Sequence, residues 1–182
     1  WDDGAMRPFW DGVEATGLAV YFTLLNALPH VQYVGNGPEG YLNEHRTLMR
    51  WMERYPQSTA VITHGFPWRM FIERDKIVLP SAIWDVFDSP ECYMQLLFPI
   101  QIGGMWEYPW AEAEPTVGEC VEKIGAERLA WGTDMPMVGR FCTYRQALDQ
   151  YRSHCRFLSH DEREAILGGT AAKLIRIART AV

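Results

Sequence analysis

The strongest constraint on the fold is a short apolar run that ends abruptly in a carboxylate. In Arg128-Leu-Ala-Trp-Gly-Thr-Asp-Met-Pro136, Leu129–Trp131 reads as a buried strand. Gly132, Thr133 and Asp134 follow at once, and Pro136 blocks any continuation. Such a segment delivers one acid to the C-terminal end of a strand, where α/β barrels keep their chemistry. Ala60-Val-Ile-Thr-His64-Gly65 has the same form, with an imidazole in place of the carboxylate.

The rest of the chain alternates around these segments. Pro8–Thr16 predicts a helix stopped by Gly17, and Leu18–Leu25 predicts a buried strand rich in β-branched and aromatic residues. Ala27–Tyr41 reads as a loop, and Asn43 as the N-cap of a helix over Glu44–Tyr55. Thr59–Thr63 is a second strand; short helices are expected over Pro67–Arg74 and Ile77–Phe87. Cys92–Phe98 is a third strand, followed by a glycine- and aromatic-rich loop over Pro99–Trp110. A helix runs from about Pro115 to Ile124 and is closed by Gly125. Leu129–Trp131 is the fourth strand, and Thr143–Arg156 is helical. Ser159-His-Asp-Glu162 forms a capping box for the last helix, which Gly168-Gly169 interrupts before Ala171–Ala178. A helix followed by four strand–loop–helix units argues for a parallel sheet covered on both faces, or closed as a barrel.

Composition excludes several function classes. The net charge of −6 is spread along 182 residues without a basic stripe, so nucleic-acid binding has no support. The longest apolar runs are far too short to span a bilayer, and no signal peptide is visible. Cys92, Cys120, Cys142 and Cys155 have no CxxC spacing, the pattern of reduced residues in a cytoplasmic protein. Trp1 is not a natural start residue, so the N-terminus is expected to lie further upstream. A hydrophobic fraction of 48% suits a single folded domain.

His64 and Asp134, each at the end of a strand, are the candidate catalytic residues. An imidazole and a carboxylate on separate strands of one barrel can converge on a divalent metal or on a metal-bound water. Arg69 and Arg74 follow His64; a guanidinium fork there can bind a substrate carboxylate, Arg69 being the better candidate. Trp106, Tyr108 and Trp110 either wall an apolar pocket, with Glu107 as a polar contact, or pack the barrel shoulder. Arg140 reads as a surface residue. His45, His154 and His160 are assigned no chemistry, and Cys92 and Cys142 lack a base partner.

Four segments resemble the amidohydrolase-related family, which includes metal-dependent hydrolases and the aminocarboxymuconate-semialdehyde and resorcylate decarboxylases. Phe9–Val20 is similar to the family's passage into the fifth barrel strand, and Val61-Ile-Thr-His-Gly-Phe-Pro67 to the sixth strand. Gly125–Pro136 is similar to the eighth strand, and Leu158–Leu174 to the closing helix, with Thr170-Ala171 where the family has Asn-Ala. The resemblance implies an α/β fold: the C-terminal half of a (β/α)8 barrel, with about four parallel strands and covering helices. Residues 1–182 would form one partial domain, since a complete barrel needs about 250 residues.

The resemblance further implies an enzyme acting on a small molecule, a homo-oligomer when full length. Its cofactor would be a divalent metal, zinc, with Asp134 as a ligand or as the base that activates water. Two departures bear on the metal. The family's first-strand His-x-His pair is not in this chain. Thr23 falls where the fifth strand carries a metal-binding histidine, and His30 is an alternative seven residues on. Metal-assisted hydrolysis is the leading expectation. Non-oxidative decarboxylation of an aromatic or unsaturated acid is the alternative, and a catalytically silent subunit paired with an active homologue is a third.

Overall fold

The computed structural model describes residues 1–24, 37–97, 102 and 104–180. Four strands form one parallel sheet: β1 (Val20–Phe22), β2 (Ala60–Ile62), β5 (Cys92–Leu96) and β6 (Leu129–Trp131), in the order β1-β2-β5-β6. The register pairs Phe22 with Ile62, Ile62 with Met94 and Leu96 with Trp131. A two-stranded antiparallel hairpin, β3 (Ile72–Glu73) with β4 (Lys76–Ile77), lies between β2 and β5. The α-helices are α1 (Arg7–Thr16), α2 (Gly37–Arg54), α3 (Glu114–Ile124), α4 (Tyr144–Asp149), α5 (His160–Glu164) and α6 (Thr170–Thr180). No helix among the described residues is long and apolar enough to cross a membrane.

The sheet is apolar on both faces, which is why its central strands read as continuous hydrophobic runs. Side chains alternate across it. Ala60, Ile62, Cys92, Met94, Leu96 and Leu129 belong to the main core with Leu48 and Trp51 of α2 and Val117 and Cys120 of α3. Val61 and Tyr93 cluster instead with Leu174 of α6. Burying each large apolar side chain contributes about 1.5–3 kcal/mol. Trp51 lies 5.4 Å from Trp10 and 4.9 Å from Phe22 between ring centroids, so one indole ties α1, β1 and α2 together. The guanidinium of Arg128 donates to the carbonyls of Ile124, Phe87 and Ser89, anchoring the entry to β6.

Several boundaries differ from the sequence expectation. β1 covers only Val20–Phe22; Leu18 before it and Tyr21 within it are about half exposed. α2 starts at Gly37, so Asn43 is inside the helix rather than its cap; Pro38 is tolerated because it falls in the first turn. The helix expected over Pro67–Arg74 is a 3-10 turn, Trp68–Phe71, running into the hairpin. Ile77–Phe87 is not a helix but the end of that hairpin and two 3-10 turns, with Pro80 extended ahead of the first. The strand–loop–helix repeat therefore fails between β2 and β5. Thr143 caps α4, which after six residues passes into a π turn over Gln150–His154. The Ser159–Glu162 capping box and the break at Gly168 are both present. The expected strand ends at Leu25 and Phe98, and most of the loop from Ala27, lie outside the described residues.

Candidate active site

The site grows out of the C-terminal ends of β1, β2 and β6. Beyond Ile62 the Thr63 N–H still pairs with the Phe22 carbonyl at 2.9 Å, and then the chain turns sharply. His64 and Gly65 take successive positive φ values of 64° and 72°. A Cβ on Gly65 would lie 2.6 Å from Trp68 Cζ2 and 3.0 Å from the Gln95 carbonyl, so only glycine fits. Asp134 leaves β6 in the same way, at φ 54°. Its carbonyl accepts from the Met137 N–H at 2.8 Å, closing the turn that follows. Left-handed backbone at a residue other than glycine costs about 1–3 kcal/mol and concentrates at functional sites. Both candidate residues carry it.

These turns bring His64 Nε2 to 3.9 Å from Asp134 Oδ1. That separation exceeds a hydrogen bond, leaving both groups within reach of a shared third atom. The side chains are 29% and 35% exposed in this chain. Behind the imidazole, Thr63 Oγ1 lies 3.0 Å from His64 Nδ1, 2.9 Å from Thr23 Oγ1 and 3.2 Å from the Phe22 carbonyl. The parallel register explains the Thr23–Thr63 pair: Phe22 sits opposite Ile62, so the next residues meet at the rim. Thr63 was not among the residues singled out from sequence. A threonine before a strand-end histidine carries no signal until the neighbouring strand is in register.

The other predicted residues scatter. Arg69 is exposed on the 3-10 turn after β2, and Arg74 and Arg140 are exposed. Trp106 is half-buried against the main core and Trp110 is fully inside it. Glu107 is exposed, and its carbonyl accepts from the Trp110 N–H. Tyr108 Oη lies 2.7 Å from His154 Nε2. His30 lies outside the described residues. Burial pushes the Cys92 and Cys155 thiols up to about 12, away from nucleophilic chemistry. A cavity of about 430 Å³ lies at the opposite end of the sheet, beside the Ser89–Glu91 entry to β5, and takes no part in this site.

Nitrogen and oxygen donors on one rim suit zinc or manganese. Among the described residues, however, no group of three or more His, Cys, Asp or Glu side chains could hold a metal ion. Thr23 Oγ1 is engaged by Thr63. His64 and Asp134 therefore offer two donors, and a four-coordinate site needs others from outside them.

Comparison with known proteins gives this rim a context. Over 141 residues the chain is 30% identical to L-fucono-1,5-lactonase of Burkholderia ambifaria, covering 72% of this chain and 46% of that protein. A dihydroxybenzoic acid decarboxylase from Polaromonas, solved with bound manganese and 2-nitroresorcinol, superposes with a TM-score of 0.63 at 20% identity. That match covers 97% of this chain and 55% of the decarboxylase. A zinc-bound amidohydrolase from Burkholderia multivorans superposes at 0.60 and 20% identity, over 74% of this chain and 50% of the other. The chain thus spans about half the length of these relatives, and the fold is that of amidohydrolase barrels. The amidohydrolase family model matches residues 1–177, and the chain belongs to that family.

Proposed function

We propose that this chain is the second half of a (β/α)8 hydrolase barrel, residues 1–182 forming one partial domain, and that it opens a small cyclic ester of the sugar-lactone type. The carrying observation is the 3.9 Å approach of His64 and Asp134 at two strand ends. The lactonase relative supports the substrate class.

In this reading His64 accepts a proton from the attacking water as its oxygen bonds to the lactone carbonyl carbon. The ring C–O bond then breaks, and the same imidazole returns the proton to the departing alkoxide. Asp134 stabilises the imidazolium formed between the two transfers, and general acid–base chemistry of this kind contributes roughly 10²–10⁴ in rate. Asp134 is also the residue that would hold a divalent metal, zinc, with ligands from the first half of the barrel. When bound, such an ion polarises the carbonyl and makes water more acidic. Arg69, on the turn after His64, would hold the carboxylate that ring opening creates, with Trp106 and Glu107 as further substrate contacts. The assembled protein is expected to be a cytoplasmic homo-oligomer.

The test is product analysis on protein carrying the whole barrel. Acid release from an aldono-lactone supports the reading. Carbon dioxide release from a dihydroxybenzoate, with no lactone opening, would replace it with decarboxylation. Absence of both activities and of bound metal would favour a silent subunit.

A further inference from the structure

We infer that Thr63 fixes the tautomer of His64, holding the ring proton on Nδ1 so that Nε2, on the side of Asp134, is the proton-accepting nitrogen. The inference deepens the hydrolase reading and rests on it for its catalytic meaning.

Thr63 Oγ1 has three neighbours: the Phe22 carbonyl at 3.2 Å, Thr23 Oγ1 at 2.9 Å and His64 Nδ1 at 3.0 Å. A hydroxyl has one proton to donate and two lone pairs to accept with. A carbonyl oxygen only accepts, so the Phe22 contact is met only by the Thr63 proton. Thr63 then accepts from the Thr23 hydroxyl and from the ring, which must carry its proton on Nδ1. This assignment satisfies all three contacts. If Thr63 instead donates to Thr23, the ring must still donate from Nδ1. Only the arrangement in which Thr63 donates to Nδ1 places the ring proton on Nε2, and that arrangement gives up the Phe22 contact. Which imidazole nitrogen is protonated follows from the hydrogen bond the other makes.

The arrangement gives Thr23 a definite role. Its hydroxyl supplies the second proton that Thr63 accepts, so Thr23 belongs to the support of His64 rather than to a ligand set. Thr23 and Thr63 are both positioning residues; the group that would touch substrate is the imidazole.

The test reads the ring nitrogens directly. The full chain is labelled with 15N-histidine, stripped of metal with a chelator, and held at a pH well above the ordinary imidazole range. Long-range proton–nitrogen correlation then distinguishes protonated from unprotonated nitrogens, and His64→Gln assigns the His64 signal. Wild type and Thr63→Ser are expected to show Nδ1 protonated and Nε2 unprotonated. Thr63→Val, lacking the acceptor, is expected to shift the ring toward its intrinsic Nε2–H form. An Nε2–H ring in wild type, or a Thr63→Val spectrum like wild type, overturns the inference. Should Thr63→Val not fold, wild type and Thr63→Ser still decide, because Nε2–H in either overturns it. No turnover is measured, so a failure of the hydrolase reading and a failure of this one are separable.

Discussion

His64 Nε2 and Asp134 Oδ1 stand 3.9 Å apart across the ends of β2 and β6, each on a backbone held at positive φ. Two non-glycine residues in the left-handed region, meeting at one rim, are what stability alone would avoid. Replacing either by glycine relieves the backbone while removing the functional group. His64→Gly and Asp134→Gly are therefore expected to cost little stability, within about 1 kcal/mol, compared with the loss of roughly 10²-fold or more in activity. Thermal unfolding and turnover on the same preparations check this.

Gly65 is the opposite case. Gly65→Ala puts a Cβ 2.6 Å from the Trp68 ring and 3.0 Å from a backbone carbonyl, at φ 72°. A cost of about 1–3 kcal/mol is expected from backbone strain alone, with a parallel fall in activity as His64 shifts. Denaturant unfolding of Gly65→Ala beside wild type measures it.

Much of this fold could be read from the residues. Leu129–Trp131 and Ala60–Ile62 announce themselves as buried strands ending in Asp134 and His64, and the Ser159–Glu162 box marks its helix start by local chemistry. The segment 67–87 could not be read, because its apolar residues pack from 3-10 turns and a hairpin that have no helical or strand period. Asn43 misled because a cap-forming residue also fits inside a helix, where its Oδ1 accepts from Arg46. Thr63 was missed for a different reason: its role depends on Thr23, forty residues away, and appears only when β1 and β2 pair in register.

His45 supplies the pH dependence. It is buried in α2 beside Tyr41 and Phe66, and burial pushes its imidazole down from 6.5 to about 4, the Ile83 backbone opposing in part. A folded value below the unfolded one means the unfolded chain binds more protons between about pH 4 and 6.5. Stability is therefore full above about pH 6.5 and falls as pH drops toward 4, by about 3 kcal/mol. Unfolding free energy measured across that range should flatten in His45→Phe, which keeps the aromatic packing without the titration.

Arg128 makes hydrogen bonds to three carbonyls from two segments that precede β5 and β6. Arg128→Met keeps the stem and removes all three. A loss of at least about 2 kcal/mol is expected, because hydrogen bonds to charged groups each contribute about 1.5–3 kcal/mol. Urea titration gives the value, and a change under 0.5 kcal/mol would show that the carbonyls find other partners.

We propose that His64 and Asp134 run a hydrolysis at this rim. The most direct measurement is acid release from L-fucono-1,5-lactone by protein carrying the whole barrel, compared with Asp134→Asn and His64→Gln. Ring opening by wild type is expected, with a loss of roughly 10²-fold or more in each variant and thermal stability retained. Lactone opening that survives both substitutions would contradict the proposal.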